Sequence, residues 1–136
     1  MTLCYLGLGS NLKTPQRQMR QAIRGIQSLP RTNLLKISSF YTTKPLGARF
    51  QPPYCNAVVE IDTTLQPLAL LKACQNIETA QLRVKKQHWG PRTIDIDILL
   101  YGARQINSPK LQIPHQELWH RDFVLMPLSE LKTLLR

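Results

Sequence analysis

The sequence predicts an α+β fold, a ferredoxin-like βαββαβ sandwich with a mainly antiparallel sheet and helices packed on it. Three observations predict it. The chain has 136 residues, enough for one domain with a real core and too few for two of ordinary size. Two segments place apolar residues at helical spacing, and they alternate with strand-like segments in the order strand, helix, strand, strand, helix, strand. No repeat, low-complexity tract or long linker divides the sequence, so residues 1–136 read as a single domain.

Each element has its own signal. Leu3 to Leu8 reads as a short strand ending in Gly9-Ser10-Asn11. Thr14 can then cap a helix with Pro15 in its first turn, and Met19, Ala22, Ile23 and Ile26 form one apolar face that must stop before Pro30. From Asn33 to Thr42, Leu35, Ile37 and Ser39 alternate with Lys36, Ser38 and Phe40. From Cys55 to Ile61, Cys55, Ala57, Val59 and Ile61 share one side. These strands flank a long, proline-containing loop. A second helix begins near Pro67, turns Leu70, Leu71, Cys74 and Ile77 to the core, and frays toward Val84. Thr93 to Tyr101 is rich in β-branched residues and is stopped by Gly102. A short strand near Gln112 and a C-terminal helix from about Pro127 complete the plan.

Charge and composition narrow the function. Eighteen Lys+Arg against eight Asp+Glu give a net charge of +10, and every acid lies at or after Glu60. That field favours an anionic partner, nucleic acid or polyphosphate. No apolar run is long enough to cross a bilayer, which excludes a helical membrane span. Met1 to Gly7 lacks the basic, apolar and small-residue order of a signal peptide, so the chain reads as a mature cytoplasmic protein. Cys4, Cys55 and Cys74 are far apart and form no Cys-x-x-Cys pair, which fits reduced structural thiols.

Asp95 and Asp97 stand two apart on a strand, so their carboxylates project from one face while Ile94, Ile96 and Ile98 enter the other. Such a pair can hold a hard cation, and Mg2+ commonly binds through one or two carboxylates plus substrate phosphates. A merely solvated strand face is the bland alternative. Just upstream, Arg83, Lys85, Lys86 and Arg92 surround Trp89 in a stretch whose Gly90-Pro91 marks a loop. Cations beside metal-binding acids point to a polyphosphate site. Gly7-Leu8-Gly9-Ser10-Asn11 matches neither the Walker loop nor the dinucleotide fingerprint, and reads as a tight strand-to-helix turn. His88, His115 and His120 lack metal-ligand spacing, although His115 and Arg121 could touch phosphate. An RNA-binding sandwich would need a basic, aromatic strand motif for stacking bases, and no such strand occurs.

Trp89-Gly-Pro-Arg92-Thr-Ile-Asp95-Ile-Asp97-Ile-Leu resembles the signature of the 6-hydroxymethyl-7,8-dihydropterin pyrophosphokinases. Tyr5 to Leu12, Ser39 to Gly47, Pro53 to Asn56 and Ile113 to Phe123 follow the same family in order. The resemblance implies transfer of a diphosphate from ATP to the pterin hydroxymethyl group, releasing AMP, in folate biosynthesis. It implies two Mg2+ held by Asp95 and Asp97, and catalytic roles for Arg83, Trp89, Arg92, Asp95 and Asp97. Arg83, Arg92, His115 and Arg121 would contact ATP phosphates, with Gln75, Glu78, Ile98, Lys110 and Leu111 also on the nucleotide side. Thr43, Leu46, Tyr54, Asn56, Trp89 and Phe123 would form the pterin pocket, Tyr54 and Phe123 sandwiching the ring. The expected partners are these two substrates, with no nucleic acid and no membrane, and the expected state is a monomer.

Overall fold

The computed structural model describes residues 1–11, 14–43, 54–85, 94–116, 118 and 122–132, with backbone alone at 43, 82–85, 122 and 123. The elements run β1 (Thr2–Ser10), α1 (Pro15–Gln27), β2 (Thr32–Ile37), β3 (Tyr41–Thr43), β4 (Tyr54–Thr63), α2 (Pro67–Lys85), β5 (Asp95–Tyr101), β6 (Ile106–Asn107), β7 (Gln112–Ile113) and α3 (Asp122–Leu131). The main sheet has the order β2-β4-β1-β5, with β3 also pairing β4, and every pairing is antiparallel. A mixed α and β chain with an antiparallel sheet and helices packed on it is therefore present.

One face of the sheet is covered by α1 and α2. Met19, Ala22, Ile23 and Ile26 from α1 and Leu70 and Cys74 from α2 bury against Cys4, Leu6, Leu8, Cys55, Ala57, Val59, Ile61, Ile96 and Ile98. Each large aliphatic side chain buried this way contributes about 1.5–3 kcal/mol. The opposite face carries a smaller cluster of Tyr5, Val58, Leu99, Leu118 and Leu128, with Val124 and Leu131 of α3 packed on it. Strand β4 is thus buried on both faces, and the single-sided pattern expected for Cys55 to Ile61 describes only half of it.

Three expectations need correction. The strand expected from Asn33 to Thr42 is two strands, and Leu35 and Ile37 are 45% and 46% exposed. The pairing of β2 with β4 shifts register between Leu34 and Lys36, and an extra residue in an edge strand resets which side chains face inward. Thr14 makes no side-chain cap; its carbonyl accepts the Arg17 and Gln18 N–H groups instead. The C-terminal helix begins at Asp122, with Pro127 inside it. Packing of Val124 and Leu128 onto the sheet outweighs the one backbone hydrogen bond that an internal proline forgoes.

Candidate active site

The site grows from the register of three neighbouring strands. Gly9 of β1 pairs with Asn56 of β4 on one side and Asp95 of β5 on the other. One step along, Gly7 pairs with Val58 and Asp97. Directly opposed residues share a face, so Asn56, Asp95 and Asp97 stand on the face opposite α1 and α2, with a glycine in the middle of each row. This corrects the expected end of the strand: β1 runs on to Ser10, so Gly9 as well as Gly7 lies inside it and not in a turn. A Cβ added at Gly9 would lie 2.9 Å from Tyr54 Cε1 and 3.1 Å from Asn56 Oδ1. Only a missing side chain lets these two groups lean over β1.

Above the glycines is a cavity of about 100 Å³, lined by Tyr54, Asn56, Asp95, Asp97, Leu99, His115 and Val124 among others. Asn56 is 6% exposed, and its Nδ2 is buried with no hydrogen-bond partner among the described residues. A buried amide N–H left unpaired is costly unless a ligand or water accepts from it. The Tyr54 hydroxyl donates to Asp95 Oδ2 over a long 3.5 Å. Asp97 lies between this cavity and an open groove of about 390 Å³ walled by Ile96, Ile98, Lys110, Leu111 and His115. His115 also lines both, with Nε2 4.0 Å from Asp97 Oδ1. Its backbone N–H donates to the Leu99 carbonyl, which fixes it beside β5.

Behind the carboxylates, Glu78 of α2 accepts the Ile96 N–H at 2.8 Å, gripping the backbone between Asp95 and Asp97. Burial, then the charges of Glu78 and Asp97, push the Cys74 thiol up to about 12. The same negative potential favours a cation in front of the strand. Asp95 and Asp97 present oxygen donors only, which fits a hard ion such as Mg2+ that completes its shell with phosphate and water. Among the described residues no group of three or more His, Cys, Asp or Glu forms a cation cage.

Of the residues expected on the nucleotide side, Ile98, Lys110, Leu111 and His115 line the groove, and Gln75 continues it beside Lys72 and Lys110. Of those expected at the pterin, Tyr54 and Asn56 line the cavity, and Thr43 pairs with Tyr54 in the sheet. Phe123 belongs to the first turn of α3 and Arg83 to α2. Leu46, Trp89, Arg92 and Arg121 lie outside the described residues. The sequence reading missed the glycines and Val124. A two-residue glycine spacing within an apolar strand was the available signal, since it clears one face of that strand.

The family description 7,8-dihydro-6-hydroxymethylpterin-pyrophosphokinase (HPPK) matches residues 5–133. The chain belongs to the HPPK family. It is 49% identical over 131 residues to the 2-amino-4-hydroxy-6-hydroxymethyldihydropteridine pyrophosphokinase of Haemophilus influenzae, covering 96% of this chain and 82% of that one. The protein of that name from Pseudomonas aeruginosa is 46% identical over 132 residues, covering 97% and 82%. The HPPK-DHPS structure solved in complex with substrates superposes with a TM-score of 0.69 at 14% identity, over 94% of this chain and 39% of that longer one. At that identity the likeness shows a shared fold.

Proposed function

We propose that this HPPK-family chain transfers a diphosphate from ATP to the hydroxymethyl oxygen of 6-hydroxymethyl-7,8-dihydropterin and releases AMP, the pyrophosphokinase step of folate biosynthesis. The carrying observation is that one carboxylate, Asp97, faces both the enclosed cavity and the open groove. On this reading the first takes the flat heterocycle and the second the phosphate chain, so that their reacting ends would meet at the aspartates.

The pterin ring would lie between Tyr54 and Phe123, with the orphan Asn56 Nδ2 donating to an acceptor on its edge. In the groove, Lys110 and His115 would meet the nucleotide, and Arg83, Arg92 and Arg121 are the further phosphate contacts that the family resemblance implies. The hydroxymethyl oxygen attacks the β-phosphorus; the new O–P bond forms as the bond to the α-phosphate oxygen breaks, and AMP leaves. Asp95 or Asp97 accepts the hydroxyl proton. Two Mg2+ bound at these carboxylates would neutralise the triphosphate charge as Lewis acids. Alignment of the two substrates does most of the remaining work, because phosphoryl transfer asks little covalent chemistry of protein. Trp89 and its basic neighbours Lys86 and Arg92, which lie outside the described residues, would serve the nucleotide side by excluding water.

The strand order β2-β4-β1-β5, with a helix after β1 and another after β4, supports the ferredoxin-like reading, elaborated by β3, the β6–β7 hairpin and α3. On this reading the chain acts as a monomer on its two small-molecule substrates, with Asn56, Asp95, Asp97 and His115 of one chain lining the cavity. Three free, buried cysteines fit the cytoplasm. Incubation with ATP, Mg2+ and the reduced pterin, followed by separation of the nucleotides, tests the reaction. AMP and a pterin diphosphate in equal amounts are expected; ADP contradicts it.

A further inference from the structure

The far end of α3 holds a carboxylate that neither the cavity nor the groove uses. Glu130 Oε1 accepts from the Ser39 N–H at 3.0 Å and the Tyr41 hydroxyl at 2.9 Å, and Oε2 accepts from the Ser39 N–H at 3.1 Å and the Ser39 hydroxyl at 3.0 Å. Both oxygens are engaged by a corner some ninety residues away in sequence. Hydrogen bonds to an ionised acceptor are shorter and stronger than neutral ones. They hold the Glu130 carboxyl below its ordinary value, the Ser39 N–H contributing most, and the bond to Glu130 pushes the Tyr41 phenol up.

The placement gives this clasp its meaning. Tyr41 opens β3 and is the sheet partner of Asn56, so Tyr41, Asn56, Gly9 and Asp95 form one cross-strand row. The other end of α3 carries Phe123, followed by Val124 in the cavity wall. Among the described residues α3 also rests on the sheet through Val124, Leu128 and Leu131, and Lys132 just past its end lies 5.6 Å from the centre of the Tyr5 ring. Apolar contact is non-directional and leaves a helix free to slide or roll. The carboxylate supplies direction.

We propose that Glu130, acting through Ser39 and Tyr41, is a positioning residue for the pterin half of the site, setting α3 against the strands that carry Tyr54 and Asn56. This rests on the pterin reading given above. The cavity is small, so a slight displacement of α3 changes its width more than it changes the open groove. The clasp therefore acts mainly on the pterin, with a smaller effect on ATP through Arg121, the residue before Asp122 in sequence.

Steady-state kinetics with each substrate varied in turn, on the whole chain, test it in wild type, Glu130→Ala, Glu130→Gln, Tyr41→Phe and the Tyr41→Phe/Glu130→Ala double variant. Glu130→Ala should raise the pterin KM about tenfold, the scale of losing one or two net hydrogen bonds, with a clearly smaller rise in the ATP KM. Glu130→Gln keeps one acceptor oxygen for the Ser39 N–H and should recover part of the loss. Tyr41→Phe should have a smaller effect, and the double variant should be no worse than Glu130→Ala, because both remove the same contact. A wild type that makes no pterin diphosphate overturns the reaction and this role together. A working wild type whose Glu130→Ala keeps its pterin KM, or raises both KM values in parallel with a fall in melting temperature, overturns the role alone.

Discussion

The cavity over β1 has a volume of about 100 Å³, with the buried Asn56, Val58 and Leu99 at its base, whereas the groove beyond Asp97 is about 390 Å³ and bordered by the exposed Lys110 and Gln116. The cavity is made by subtraction. Gly9 removes a side chain from the middle of a strand, Tyr54 and Asn56 lean into the space, and a buried amide group is left to be satisfied. Such a region selects by shape and by a hydrogen bond that only one kind of ligand completes. The groove selects by charge, which acts at longer range and tolerates looser fit. The two meet at a carboxylate pair fixed on β5, so under the proposed function a shape-reading region and a charge-reading region would present their ligands to the same atoms.

Loss of the meeting point should have the largest effect. Asp95→Ala should lower turnover by several kcal/mol of transition-state stabilisation, as when a metal clamp is broken, and rates measured over a range of Mg2+ check it. A parental rate would reduce Asp95 to a solvated strand residue. Gly9→Val comes next. Its side chain would meet Tyr54 and Asn56, so pterin affinity should fall by roughly 1–3 kcal/mol, the cost of overpacking, while calorimetry with ATP shows little change. Equal loss for both ligands would mean that the two regions are not separate.

Phe123→Ala should weaken pterin binding by roughly 1–3 kcal/mol through lost aromatic area, without altering ATP binding; unchanged calorimetry with the pterin would remove Phe123 from the site. Lys110→Ala should do the reverse on a smaller scale. An exposed cation facing phosphate is worth about 0.2–1 kcal/mol and is screened by salt, so the difference in ATP affinity from wild type should shrink as salt is raised. A salt-independent loss would point to packing instead. The smallest effect concerns stability at the clasp. Because the folded Glu130 carboxyl is held below its ordinary value, its stabilisation is present above the unfolded carboxylate pKa and is lost as pH falls through the lowered one. The melting-temperature gap between wild type and Glu130→Gln should therefore close on acidification, and a gap that stays constant would count against an ionised clasp.

How legible each region was follows from how local its cause is. Asp95 and Asp97 could be placed on one face from a two-residue spacing alone, and Ile96 and Ile98 are buried on the opposite face as expected. The helix faces of Met19 to Ile26 and Leu70 to Cys74 were readable for the same reason, since periodicity is a property of neighbours in sequence. The cavity was not. Its rows join residues from β4, β1 and β5 that only strand register brings together, and the glycines at its base were read as a turn because their partners were unseen. The start of α3 was misplaced by a proline rule that packing overrides. Glu130 could not be found at all, because its partners Ser39 and Tyr41 are supplied entirely by tertiary structure.

The central claim is that Asp97 acts where the two ligands meet and not as a binding group for either. Single-turnover transfer by Asp97→Ala, with ATP and pterin each saturating and their affinities measured separately, tests it most directly. The account predicts a transfer rate lower by about a thousandfold, as several kcal/mol of lost transition-state stabilisation requires, with both affinities within a few-fold of wild type. A parental transfer rate at saturation, or a deficit that disappears once either ligand is made saturating, would contradict it.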